Sequence, residues 1–247
     1  MADWNDPQST RTQFGGGPVL NGQVLGADAR DQGLRRHMLS IYNYMASGVL
    51  LSGVVAMLFA RSGMAAQMMT TPLGWVIQLA PLGFILAISF GLNKMQTSTL
   101  QILFWAFAVV MGLSLSTIFL IYTGGSIAVA FFASAASFAG LSLVGYTTNR
   151  DLSGMGSFMI MGLIGIIVAS LLNIWLQSPG LYWAVSILGV LIFAGLTAYD
   201  TQRLKEQYAY VAGTDFAGKA VVMGALSLYL DFINMFLYLL RFLGDRR

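Results

Sequence analysis

The sequence contains no cysteine and only one histidine, His37. Without cysteine there is no disulfide framework, thiolate metal site or cysteine nucleophile, and one histidine alone cannot form a His-paired metal site. Charged residues are also scarce, at 9% of 247 residues, where soluble domains carry about 25%. Thirteen Lys and Arg against ten Asp and Glu are too few and too scattered to form a nucleic-acid surface. The composition therefore excludes a soluble fold, most familiar catalytic centres and a nucleic-acid partner.

Apolar residues make up 57% of the chain and occur in long uncharged runs. A helix that crosses a hydrocarbon core of roughly 30 Å needs about 20 mainly apolar residues. The runs predict an all-α polytopic membrane protein, embedded in a lipid bilayer, with seven transmembrane helices. These helices lie at 38–60, at 62–93, twice within 95–149 with a turn at 123–126, twice within 152–199 with a turn at 177–180, and at Val221–Leu243.

The first 33 residues lack an apolar period and are rich in Gly, Asp, Asn and Gln. They are predicted to form a disordered cytoplasmic tail, followed by a transmembrane domain over 34–247. Nine loop Lys and Arg lie on the side of the amino terminus and four on the opposite side, which places the amino terminus in the cytoplasm. Three of those four are Arg241, Arg246 and Arg247, so a re-entrant seventh segment that returns the carboxyl terminus to the cytoplasm is an alternative.

Polar residues recur along the seventh span at steps of four, three, four and three: Ser227, Asp231, Asn234, Tyr238 and Arg241. Such spacing places them on one face of a helix. An ionisable group within a membrane needs a partner or water, and it is more often functional than structural. We therefore expect a central seventh helix whose polar stripe lines a pocket or pore. The structural alternative is a seam of hydrogen bonds between helices.

A second acid, Asp200, ends the apolar run of the sixth span. The best turn signal before Asp231 lies at 213–216, so the two helices should form an antiparallel hairpin in which Asp200 and Asp231 lie level, provided that helix six continues through 202–210. Hydropathy alone places Asp200 nearer the interface. Two close carboxylates do not both ionise cheaply, so the pair is predicted to share a proton near neutral pH. Two carboxylates also suit Ca²⁺, which would compete with the proton.

Three segments resemble the Bax-inhibitor-motif transmembrane family. They are the seventh-helix segment ALSLYLDFINMFLYLLRFLG at 225–244, the sixth-helix segment FAGLTAYDTQRLK at 193–205, and the loop GYTTNRDLSGMG at 145–156, as found in bacterial members. The resemblance covers about residues 35–244. It implies a central seventh helix wrapped by six others, a pH-sensitive calcium leak through the bacterial inner membrane, and a sensing pair at Asp200 and Asp231.

The family also has an arginine at the cytoplasmic end of the second helix that latches one aspartate in the closed state. Here that region reads Gly91-Leu92-Asn93-Lys94, so Lys94 is the only candidate for the latch. A lysine does not reproduce the bidentate fork of an arginine.

Two other classes of function were weighed against the leak. An intramembrane protease is disfavoured, because His37 precedes the first span and neither aspartate lies in a Gly-rich active-site sequence; no enzyme activity and no cofactor are predicted. A non-conducting regulator that binds a membrane protease or another membrane protein is the stronger alternative. The polar stripe favours the leak, with Ca²⁺ and protons as the ions bound or moved, while the long tail is compatible with the regulator.

Overall fold

The computed structural model of the protein describes residues 19–20, 23–24, 27–92 and 94–247. Nine helices and one small hairpin are found within these residues. The helices are α1 Ala27–Arg61, α2 Met64–Met69, α3 Pro72–Gly91, α4 Thr97–Leu115, α5 Ile118–Ile121, α6 Gly124–Thr147, α7 Ser153–Leu176, α8 Pro179–Val211 and α9 Ala217–Leu243; the strands β1 Val19–Leu20 and β2 Gln23–Val24 pair antiparallel.

Seven of the helices are long and apolar enough to cross a membrane, which confirms the predicted all-α polytopic fold. The predicted turn signals fall between these helices. Gln177 adopts a left-handed φ of 48° after α7, the Ser178 side chain accepts a hydrogen bond from the backbone N–H of Leu181, and Pro179 opens α8. Proline is well suited to the first helical position because its missing N–H would have no partner there.

The first helix starts earlier than the apolar run that predicted it. It begins at Ala27, seven residues before the predicted domain boundary at 34, because the Ala, Arg, Gln and Leu residues that precede the run favour helix. The remainder of the predicted disordered tail lies mostly outside the described residues.

The last helix, α9, lies at the centre of the bundle and packs against α1, α4, α6 and α8. Its largest fully buried side chain is Tyr229. The Tyr229 hydroxyl lies 2.6 Å from Oγ of Ser52 on α1, and that Oγ lies 2.7 Å from the backbone oxygen of Ala108 on α4. This hydrogen-bond network holds three helices together, and the predicted central position of the seventh span is confirmed.

Residues 244–247 fold back onto the loop between α5 and α6. The backbone N–H of Arg247 donates to the oxygen of Ile121 at 2.9 Å, and that of Thr123 donates to the oxygen of Asp245 at 3.2 Å. The side chain of Arg246 donates to the Tyr182 hydroxyl near the start of α8. The chain thus ends at the opposite end of the bundle from the start of α1, so α9 is not a re-entrant segment.

Candidate ion site between the last two helices

The helices α8 and α9 form an antiparallel hairpin with a five-residue connection at 212–216, as the sequence predicts. Helix α8 extends through Val211, well past its apolar stretch, which is the condition that the predicted pairing requires. We call the contact between these two helices the α8–α9 seam. Its inner end lies next to the 212–216 connection, and its outer end lies next to Arg241.

At the inner end of the seam, the Ser227 hydroxyl donates a hydrogen bond to Oδ2 of Asp200. The residue level with Asp200 is therefore Ser227, one helical turn before Asp231, and not Asp231 itself. The prediction assumed equal arms around the turn, whereas the packed helices are offset by about one turn. The two aspartates thus lie in successive layers of one polar stripe.

Asp231 is one of the few buried polar residues of the bundle, with 6% of its surface exposed. Its Oδ2 atom has no hydrogen-bond partner among the described residues. The carboxyl of Asp200 is close enough to act electrostatically on it. A buried carboxylate without partners is costly, so the site favours either a bound proton or a cation at Asp231.

A cavity of about 330 Å³ lies at the inner end of the seam. Its polar lining comes from Asp200, Arg203 and Gln207 of α8, Ser227 of α9 and Ser89 of α3. Asp231 is not one of its lining residues. The cavity therefore brings Asp200 and Ser227 to its wall and leaves Asp231 enclosed beyond it.

The outer end of the seam is closed by aromatic packing. The ring of Tyr238 stacks on Phe193 with centroids 5.8 Å apart and covers Gly189, where an added Cβ would lie 2.5 Å from the tyrosine ring. The guanidinium of Arg241 lies 5.5 Å from the Tyr238 centroid and 5.0 Å from that of Tyr182. Of the predicted stripe, Tyr238 and Arg241 thus face α8 as a packed seal.

Asn234 lies between the two ends of the seam. Its side-chain amide donates to the backbone oxygen of Leu230, one turn earlier on the same helix, at 2.8 Å. The side-chain oxygen of Asn234 is therefore the group that remains to face another ligand, since one amide N–H already serves its own helix.

Lys94 does not reach the aspartates. Its side chain is exposed, and it is not part of the cavity wall. The cationic side chain next to Asp200 is Arg203, which lies three residues further along α8 and acts electrostatically on that carboxyl. Arg203 stands in the quoted sixth-helix segment, and its helical spacing from Asp200 could have identified it.

The acidic groups of the site number two. Within the described residues, no three His, Asp or Glu side chains cluster as a metal site would require. A calcium ion has six to eight oxygen ligands, so an ion held by this pair would take the others from hydroxyls, amide or carbonyl oxygens and water.

Comparison with known proteins bears on the whole transmembrane domain. The model of the family described as "Inhibitor of apoptosis-promoting Bax1" matches residues 34–247. The chain belongs to the Bax inhibitor family. It is 51% identical over 219 residues to an uncharacterized protein of Rickettsia prowazekii, across 88% of this chain and 92% of the relative. It is also 44% identical over 219 residues to the inner membrane protein YbhL of Escherichia coli, across 87% and 94%.

The loop segment that resembles the Bax inhibitor family packs against α8 next to the aspartate. An added Cβ at Gly145 would lie 2.2 Å from the backbone oxygen of Ala198, and one at Gly156 would lie 2.5 Å from the ring of Tyr199. Sequence reasoning missed Gln202, whose amide accepts from the N–H of Leu152 and donates to the oxygen of Arg150, both at 2.8 Å. These contacts hold the α6–α7 loop against the helix that carries Asp200.

Asp151, in the same loop, has the opposite environment from the buried pair. It is exposed, and its Oδ1 accepts a hydrogen bond from the backbone N–H of Ser153 at 2.8 Å at the start of α7. Hydrogen bonds from Ser153 lower the pKa of Asp151 below its usual range. Asp151 is therefore ionised throughout the neutral range, which makes it a control for the pair.

Proposed function

We propose that this Bax inhibitor family member is a pH-sensitive calcium leak, not an enzyme, in which Asp200 and Asp231 gate the passage of the ion. One observation carries the proposal: Asp231 is buried among apolar helices with an unpartnered Oδ2, one turn from the Asp200–Ser227 hydrogen bond. The name of the Escherichia coli relative supports a location in the bacterial inner membrane. The excess of Lys and Arg at the amino-terminal end supports a cytoplasmic amino terminus.

The proton is the first ligand of this site. Two carboxylates in successive layers of a buried seam repel each other when both are charged, and burial adds to the cost. The pair therefore holds one proton near neutral pH and titrates as a unit. In that state the Asp200–Ser227 hydrogen bond joins α8 to α9, and the seam is closed.

Calcium is the second ligand. Loss of the shared proton leaves two negative charges in the seam, and a divalent cation compensates both. The inner cavity supplies a path for the ion as far as Asp200, and Ser227 and Asn234 offer further oxygens along the stripe. Passage beyond Asp231 then requires the Tyr238 ring to leave Gly189.

Calcium flux through the purified full-length protein in liposomes tests the proposal. Liposomes with the protein should release entrapped Ca²⁺ faster than protein-free liposomes, and the rate should change between about pH 6 and 8, where an ordinary aspartate with a pKa of about 3.9 does not titrate. Folded protein, checked by circular dichroism, that gives no flux at any pH in this range would contradict the leak. The non-conducting regulator of a membrane protease or another membrane protein would then replace it.

A further inference from the structure

A second and larger cavity, of about 780 Å³, lies away from the aspartate pair. It runs between α1 and α6, both of which pack against α9. We call it the α1–α6 groove. Its wall on α1 extends from Arg35 to Leu50 and its wall on α6 from Phe131 to Tyr146, with Phe232 of α9 at its floor. At 1.5 Å per residue, each wall is about 22 Å long.

The groove faces outward, because several residues of its rim are exposed. Leu39 and Leu50 on α1 are 50% and 63% exposed, and Leu143 on α6 is 63% exposed. These leucines lie on helices that cross a membrane, so the surroundings of the groove are lipid and not water. One leaflet of a bilayer has a hydrocarbon depth of about 15 Å, and the walls are long enough to cover it.

The interior of the groove is apolar and aromatic. Phe232 makes edge-to-face contacts with Phe131 and Phe138, each with centroids 5.7 Å apart. Such a surface offers dispersion contacts to a flexible hydrocarbon chain but no hydrogen-bond partner. The volume also lies in the range of about 300 to 1,000 Å³ typical of ligand pockets.

Polar groups of the groove concentrate at its inner end. Arg35 is exposed there and lines the groove, as does Tyr146. Lys205 of α8 stands beside Tyr146, with Nζ 2.8 Å from the backbone oxygen and 5.5 Å from the ring centroid. Arginine and lysine both bind phosphate, arginine in bidentate fashion. One end of the groove is thus cationic and the rest is hydrocarbon-like, which is the polarity of an anionic phospholipid.

We propose that the α1–α6 groove binds one anionic phospholipid, with the phosphate at Arg35 beside Tyr146 and Lys205 and one acyl chain along Phe131, Phe138 and Phe232. Net negative charge on the headgroup matters because two cations face it, and each basic residue near an anionic lipid surface strengthens binding about fivefold. The site is independent of the proposed calcium leak.

Native mass spectrometry of the full-length protein tests the site, with phosphatidylglycerol and phosphatidylcholine of the same acyl chains as probes. The wild-type protein should retain one phosphatidylglycerol in preference to phosphatidylcholine. Arg35→Gln should reduce that preference about fivefold. Arg36→Gln is the matched control, since Arg36 is the exposed neighbour on α1 that does not line the groove, and it should retain the wild-type preference.

A second variant separates binding of the acyl chain from binding of the headgroup. Ala135 lines the groove on α6, and Ala135→Phe should fill the space of the chain and lower retention of both lipids without touching Arg35. Equal retention of the two lipids by wild type, equal effects of Arg35→Gln and Arg36→Gln, or normal retention by a folded Ala135→Phe protein would each overturn the proposal.

Discussion

The two ends of the α8–α9 seam are built from different materials. At the inner end, Asp200, Arg203 and Ser227 surround a cavity of about 330 Å³. At the outer end, Tyr238 fills the space above Gly189, and Arg241 lies against Tyr182. The inner end is polar and accessible, whereas the outer end is aromatic and packed.

This difference locates the barrier to an ion. A cation that enters the inner cavity meets Asp200 first and then Asp231, which is 6% exposed and lies beyond the cavity wall. Past Asp231 it meets packed rings with no free oxygen ligand except those of Asn234 and the tyrosine hydroxyl. The aspartates thus control access to the seam, and Tyr238 is the mechanical seal.

Labelling of single cysteines shows which end faces the cytoplasm and has the largest expected effect, all or none. The native chain has no cysteine, so there is no background. Thr214→Cys at the inner connection should be protected from an impermeant maleimide added outside intact cells, because the excess of Lys and Arg lies at that end. Arg247→Cys at the outer end should be labelled. The reverse pattern would invert the assignment of the two ends.

Removal of the aromatic seal should increase basal flux. Tyr238→Ala deletes the stack on Phe193, and an aromatic pair is worth about 0.5 to 1.5 kcal/mol. If the closed state loses about 1.4 kcal/mol, calcium flux in liposomes should rise roughly tenfold. Tyr210→Ala is the control, because Tyr210 is 83% exposed. Unchanged flux in folded Tyr238→Ala protein would show that the barrier lies elsewhere.

Loss of the cation beside the inner cavity should shift the pH response by a small amount. Arg203 is exposed, so its electrostatic effect on Asp200 is screened by solvent and worth about 0 to 1 kcal/mol. A nearby positive charge favours the ionised carboxylate, and Arg203→Gln should therefore raise the pH midpoint of the flux by a few tenths of a unit. Arg150→Gln, at the same end of the bundle, should leave the midpoint in place. A lower midpoint in Arg203→Gln would give the wrong sign for this contact.

The smallest effect is expected at Lys94. Because its side chain is exposed and outside the cavity wall, Lys94→Met should leave both basal flux and the pH response at the wild-type level. Raised basal flux in this variant would restore the latch that the family resemblance suggested.

Much of this architecture could be predicted because bilayers impose simple rules. Long apolar runs and turn residues such as those at 177–180 mark the spans, and a polar stripe on one helix requires a central position. The stripe predicted which residues of α9 face α8, and the antiparallel hairpin predicted that the two acids lie near each other.

The offset between Asp200 and Asp231 could not be predicted in the same way. The register of two packed helices depends on side-chain shape, such as the ring of Tyr238 against the missing Cβ of Gly189, and hydropathy does not report shape. The same limit hid the closure of the outer end, since a tyrosine on a polar stripe fits a pore lining as well as a seal. The α1–α6 groove left no signal, because its walls consist of apolar residues like those of any span.

The most direct measurement is the pH profile of calcium flux in liposomes, from about pH 5.5 to 8.5, for the wild type and for Asp200→Asn, Asp231→Asn and Asp151→Asn. The two carboxylates act as a unit, so either of the first two variants should abolish the response that ordinary aspartates, with a pKa of about 3.9, do not give. Asp151→Asn should keep it, since asparagine still caps α7. A wild-type profile in both Asp200→Asn and Asp231→Asn would show that the pair is only a structural seam.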